Sequence, residues 1–189
     1  MTPLIKVCGV TSAAFAADAA RRGVDYLGVI FAAKSPRRVA SETAREVAAA
    51  ARAAAAKPPR IVGVFVEQQA AEILEIARDV PLDVVQLHRR AAVADVAALR
   101  AAGLEVWTLA GGAPGDGVLF DSSHGDGETE FRKGNYKAIV AGGISAANIG
   151  DALRLGPDVV DVNSSIETAP GEKSVAMLDA LLAEFNKIR

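Results

Sequence analysis

Eight short runs rich in Val, Ile and Leu, separated by helix-period segments, constrain this sequence more than any single residue. A continuous apolar run that forms a strand is buried on both faces. Such strands belong to parallel sheets whose crossovers are helices. The strand candidates are Leu4–Cys8, Tyr26–Phe31, Ile61–Val66, Asp83–Leu87, Glu105–Leu109, Gly117–Phe120, Lys137–Ala141 and Val159–Val162. Helix signals lie between them. Ser12 precedes Ala13–Arg22, which stops at Gly23, and Ser41 precedes an Ala/Arg/Glu run that ends before Pro58. Gln69–Arg78 stops before Pro81, and Ala91–Ala102 stops at Gly103. Ser145 precedes Ala146–Leu155, closed by Gly156-Pro157, and Ser174 precedes the amphipathic Val175–Ile188.

Two connections break the alternation. Ala110–Asp116 contains Gly111, Gly112, Pro114 and Gly115 and is too short for a helix, whereas a parallel crossover usually takes a dozen or more residues. Ser122–Tyr136 is polar and glycine-rich, with room for at most one helical turn. The pattern predicts an α/β fold, a shortened (β/α)8 TIM barrel. A short loop replaces the helix between strands five and six, and there is little helix between strands six and seven. At 189 residues the chain falls just below the usual lower bound of about 200 for such a barrel. The rival is an open doubly wound sheet; eight strands with phosphate-type turns after the last two favour the barrel. No internal repeat or linker interrupts the pattern, so residues 1–189 read as one domain.

Composition narrows the function. Formal charge is −2, and Lys and Arg are scattered among Asp and Glu, so there is no basic stripe for nucleic acid. One cysteine excludes an intramolecular disulfide and any multi-cysteine metal site, and His88 and His124 lack ligand spacing. No cofactor or metal is expected. No run reaches the roughly 18 apolar residues that cross a bilayer, and Lys6 interrupts the first apolar segment, so neither a membrane span nor a signal peptide is expected. The expected setting is the cytoplasm, and the expected partner a small phosphorylated molecule, bound by a monomer or homodimer.

In a barrel of this kind chemistry sits at the C-terminal ends of the strands. Cys8 ends strand one, Arg37 follows strand two, and Gln86 and His88 end strand four. Asp121 ends strand six, Gly142-Gly143 follows strand seven, and Asp161, Asn163, Ser164 and Ser165 end strand eight. The glycine pair and the Asn163-Ser164-Ser165 turn can offer backbone N–H groups, with a helix N-terminus, to a phosphate without any lysine. Glycines in tight turns and strand-end cysteines are also common without function. Cys8 and Asp121 facing each other across a phosphate-binding mouth suggest one proton taken and one given. Arg37 can grip a carboxylate through two N–H groups. His88, Asp161 and Asn163 are further candidates to line the site.

The motifs, taken in order, resemble those of the phosphoribosylanthranilate isomerase family. They are Lys6-Val7-Cys8-Gly9-Val10-Thr11, Lys34-Ser35-Pro36-Arg37, Val62-Gly63-Val64-Phe65-Val66, Val84-Val85-Gln86-Leu87-His88, Leu119-Phe120-Asp121-Ser122, Ala141-Gly142-Gly143-Ile144 and Val160 to Glu167, with Pro170-Gly171 and Lys173 beyond. The resemblance implies a cofactor-free enzyme of tryptophan biosynthesis that rearranges N-(5-phosphoribosyl)anthranilate. It implies Cys8 as general base, Asp121 as general acid and Arg37 as the partner of the anthranilate carboxylate. It assigns the phosphate to Gly142, Gly143 and the Ser164-Ser165 turn. Three segments depart from the family pattern: the loop His124-Gly125-Asp126-Gly127, the turn Asn163-Ser164-Ser165, and Arg89-Arg90-Ala91. Another phosphosugar isomerase or lyase, or a phosphate-binding barrel without catalysis, remains open at this level.

Overall fold

The computed structural model describes residues 2–123 and 131–188. Its strands β1 (Leu4–Val7), β2 (Tyr26–Ile30), β3 (Arg60–Phe65), β4 (Val84–Leu87), β5 (Glu105–Leu109), β6 (Gly117–Asp121), β7 (Lys137–Ala141) and β8 (Val159–Val162) are parallel and close a barrel in sequence order. Closure is made by β1 against β8, where Leu4 faces Val159, Lys6 faces Asp161 and Val7 faces Val162. Helices α1 (Ala13–Arg21), α2 (Ser41–Ala54), α3 (Ala70–Asp79), α4 (Val93–Ala101), α5 (Ile149–Arg154) and α6 (Val175–Ile188) pack outside.

Alternation along each strand makes two cores. One set of side chains, including Ile5, Val7, Leu27, Val29, Val85, Val160 and Val162, meets the helices. The other set, including Tyr26, Ile30, Val62, Val84, Trp107, Leu119 and Ile139, fills the barrel. At the N-terminal end Glu105 accepts hydrogen bonds from Lys137 (2.9 Å) and Trp107 Nε1 (2.7 Å) and pairs with Arg60.

Local signals explain most boundaries. Ser12 Oγ caps α1 by accepting from Phe15 N, and Gln69 forms a reciprocal capping box with Glu72 at α3. Two expected caps move. Ser41 is the first residue of α2 and leaves Ala40 as a cap without a side-chain bond. Helix α5 does not begin after Ser145 but only at Ile149, because Asn148 Oδ1 accepts from Ser145 N and holds those residues in a turn. The loop 110–116 carries no helix, as its glycines predict, and none lies between β6 and β7 among the described residues. The loop His124-Gly125-Asp126-Gly127 lies outside the described residues. Beyond β8 the sequence-level reading lacked a feature. A 3-10 turn, Ser164–Ile166, leads into a small antiparallel hairpin, β9 (Glu167–Ala169) with β10 (Glu172–Lys173).

Candidate active site

The alternation that fills the barrel continues past the strand ends and delivers the reactive groups. Cys8 lies two residues after Lys6, His88 two after Gln86, and Asn163 two after Asp161, so each pair shares the inner face. Together with Arg37, Asp121, Gly142, Gly143 and Ser164, these residues other than Lys6 line a cavity of about 460 Å³ at the C-terminal mouth. Ile30, Ala32, Val64 and Val66 give it one apolar wall. Of the residues expected at the site, Ser165 is not among those lining the cavity. Its Oγ is buried without a hydrogen-bond partner among the described residues. A larger hollow of about 920 Å³ opens on the barrel flank beside β5 and β6, but among the described residues Arg132 is its one charged lining residue. The candidate reactive groups lie in the smaller cavity.

Cys8 sits just past β1 rather than inside it, with its N–H bonded to Val162 O at 2.8 Å. Beneath it Lys6, fully buried, places Nζ 2.5 Å from Asp161 Oδ2. Asp161 therefore stands within β8, one layer below the mouth, and its Oδ1 has no partner among the described residues. Burial works against the Lys6 ammonium, but attraction to Asp161 and to Cys8 outweighs it and raises the lysine above its ordinary value. Burial also pushes Asp161 toward its neutral form. At 2.5 Å the amine, by far the stronger base, keeps the proton. For Cys8 burial dominates and pushes the thiol up; Lys6 pulls it down without cancelling the rise.

Asp121 closes β6 and is shaped by its own turn, with Oδ1 accepting from Ser123 N at 2.9 Å and from Ser123 Oγ at 2.6 Å. Its Oδ2 lies 3.5 Å from His88 Nε2, and His88 Nδ1 lies 3.2 Å from Gln86 Nε2. A buried amide thus orients the imidazole toward the carboxyl.

The opposite wall is built from tight turns. Gly142 adopts φ +97°, and a Cβ there would come within 2.4 Å of Ser122 Oγ and 2.6 Å of Ser122 N. Only glycine lets the loops after β6 and β7 approach so closely. Asn148 Nδ2 donates to Gly143 O at 3.0 Å and steadies the turn. Helix α5 starts only at Ile149, so the Gly142-Gly143 turn stands apart from it, whereas the 3-10 turn that opens at Ser164 follows β8 directly.

Arg37 crosses over Gly9 to reach the mouth. Gly9 has φ +71°, and a Cβ on it would lie 2.7 Å from Arg37 Cδ and 2.9 Å from Asn163 Oδ1. The Arg37 guanidinium is held by Glu167, with Nε 2.9 and 3.1 Å from the two carboxylate oxygens and Nη2 2.7 Å from Oε2. Lys173 Nζ reaches Glu167 Oε1 at 2.7 Å and Asn163 at 2.8 and 2.9 Å. Burial opposes the Glu167 carboxylate, yet the hydrogen bonds of Arg37 and Lys173 outweigh it and hold the group down at about 2. Sequence reasoning gave no role to Lys6, Glu167 or Lys173. For Lys6 a signal existed: a charge two residues before Cys8 on an otherwise apolar strand.

A closed parallel barrel whose C-terminal mouth gathers a thiol, a carboxyl, an arginine and paired glycine turns defines a (β/α)8 enzyme of small, anionic metabolites. A family model described as N-(5'phosphoribosyl)anthranilate (PRA) isomerase matches residues 5–184. The chain belongs to this family. It is 35% identical to the N-(5'-phosphoribosyl)anthranilate isomerase of Chlorobaculum parvum, covering 97% of this chain and 95% of that protein. With the enzyme of the same name from Granulibacter bethesdensis it shares 33% identity over 97% of this chain and 98% of the other. The crystal structure of phosphoribosyl anthranilate isomerase from Thermus thermophilus superposes with a TM-score of 0.81 at 30% identity, covering 98% of this chain and all of that one, 100%.

Proposed function

We propose that the chain isomerises N-(5'-phosphoribosyl)anthranilate to 1-(2-carboxyphenylamino)-1-deoxyribulose 5-phosphate, a step of tryptophan biosynthesis, by acid–base chemistry between Cys8 and Asp121. The observation that carries the residue assignment is the shared cavity, lined at once by Cys8, Asp121, Arg37 and the Gly142-Gly143 turn. The phosphate lies at Gly142, Gly143 and Ser164, and the aromatic ring lies against Ile30, Val64 and Val66 with its carboxylate at Arg37. Asp121 gives its proton to the furanose ring oxygen. The C1'–O bond breaks, and the nitrogen lone pair forms the C1'=N bond of a Schiff base. Cys8, as thiolate, takes the proton from C2', and that electron pair forms the C1'=C2' bond of an enolamine as the C=N pair returns to nitrogen. Ketonisation gives the product: the C2' hydroxyl loses its proton and C1' gains one. General acid and base groups of this kind contribute about 10² to 10⁴-fold each. Lys6, an ammonium under the thiol, favours the charged base, and His88 supports Asp121.

No helix among the described residues is long and apolar enough to cross a membrane. We read the chain as a cytoplasmic enzyme, monomer or homodimer; a Thermotoga maritima relative is described as dimeric, with monomers generated from it. The test is loss of the anthranilate fluorescence of N-(5'-phosphoribosyl)anthranilate as it is consumed. Wild type is expected to turn over, and Cys8→Ala and Asp121→Asn to lose turnover while keeping wild-type circular dichroism. Wild-type rates in either variant rule out the assigned acid and base.

A further inference from the structure

An arginine has two forks that can hold a carboxylate: Nε with Nη2 from the side, and Nη1 with Nη2 from the end. In Arg37 the side fork is filled by both oxygens of Glu167. Nη1 has no hydrogen-bond partner among the described residues, while Arg37 lines the cavity. Glu167 is itself fixed. Its side chain is 4% exposed, and Lys173, 1% exposed, spends its three N–H groups on Glu167 Oε1, Asn163 O and Asn163 Oδ1. The hairpin that carries both residues is tied to the loop after β1, where Thr11 Oγ1 donates to Gly171 O at 2.6 Å. Two cations against one carboxylate leave a single positive charge, and it faces the cavity.

We infer that Glu167 is a positioning residue: by occupying the side fork of Arg37 it presents the end fork, Nη1 with the second N–H of Nη2, to the substrate's ring carboxylate and so sets specificity for an ortho-carboxylated aromatic amine. The inference rests on the proposed function and adds to it which edge of the arginine reads the substrate and what holds that edge. A buried pair that only braced the hairpin would leave ligand preference alone. A simple counter-charge would weaken every anionic ligand alike.

The test compares three ligands: the reduced, non-reacting analogue of the product, the same compound without its ring carboxylate, and ribose 5-phosphate. Binding is measured by calorimetry on wild type, Glu167→Gln and Glu167→Asp. Wild type is expected to prefer the carboxylated analogue. Glu167→Gln is expected to cut that preference by about tenfold to a hundredfold, the worth of well-aimed charge-assisted bonds, while ribose 5-phosphate affinity stays within about threefold. Glu167→Asp keeps the charge but stops one methylene short, so the preference falls there too; it decides the matter if the glutamine variant does not fold. An unchanged preference in a folded variant overturns the inference. So does a parallel loss, or a parallel gain, for all three ligands. If wild type fails to turn over N-(5'-phosphoribosyl)anthranilate, the proposed function falls instead, and the calorimetric preference still tests the role of Glu167.

Discussion

Burial pushes the Cys8 thiol above its ordinary value of 9.0, so the resting cysteine is neutral and its base form grows with pH. Lys6, fully buried beside it, limits the rise, and Lys173 adds a smaller pull in the same direction. The sign is fixed: alkylation of Cys8 by iodoacetamide, which reports the thiolate alone, should climb through neutral pH and keep climbing past 9.0. Alkylation that saturates at pH 7 contradicts a thiol raised by burial. The cysteine was legible from its place at the end of an apolar run. Its state was not, because that depends on Lys6 and Asp161, which are paired across 155 positions of sequence.

Among the elements, the hairpin β9–β10 couples the mouth to stability. Glu167 is depressed from 4.5 to about 2, and a depressed carboxyl stabilises the fold fully above its unfolded value and loses that contribution as pH falls through the folded one. Wild type should therefore lose stability faster than Glu167→Gln between about pH 4.5 and pH 2, as followed by denaturant titration at fixed pH. Equal slopes for the two proteins exclude the contribution. The hairpin also marks where sequence reading stopped. The barrel strands announce themselves because β-branched residues recur without a polar break. Strands of three and two residues carry no period to detect. Helix α5 shows a related limit: Ser145 is a good cap residue, yet Asn148 captures its N–H and delays the helix to Ile149. Cys8, Asp121, His88 and Asn163 could be placed from the strand ends alone, while Asp161, expected there too, lies within β8. Glu167 could not, since its meaning lies in an arginine 130 positions away.

At the scale of the molecule the barrel is unevenly clothed. No helix stands between β5 and β6, and there Val118, Phe120 and Ala138 form a separate cluster covered by Ala110, Phe131 and Tyr136. Phe131 packs edge-on against Phe120 with ring centroids 5.2 Å apart, doing with one loop side chain what a helix does elsewhere. Phe131→Ala should lower unfolding free energy by about 1–1.5 kcal/mol, roughly half the value of a fully buried aromatic side chain because the ring is only partly buried, with turnover unchanged. A loss below about 0.5 kcal/mol, the usual scatter of surface substitutions, means the ring covers nothing. Closure itself joins the first barrel strand to the last, since β1 pairs with β8 and Cys8 N–H bonds Val162 O. A ribosome adding roughly 5–20 residues per second needs on the order of ten to thirty seconds to travel from one to the other. Throughout that interval the nascent chain carries its thiol on a strand with an open edge and its lysine without a counter-ion. No fragment that stops before β8 can hold the Lys6–Asp161 pair beneath Cys8; that pair comes into being only when β8 has been made.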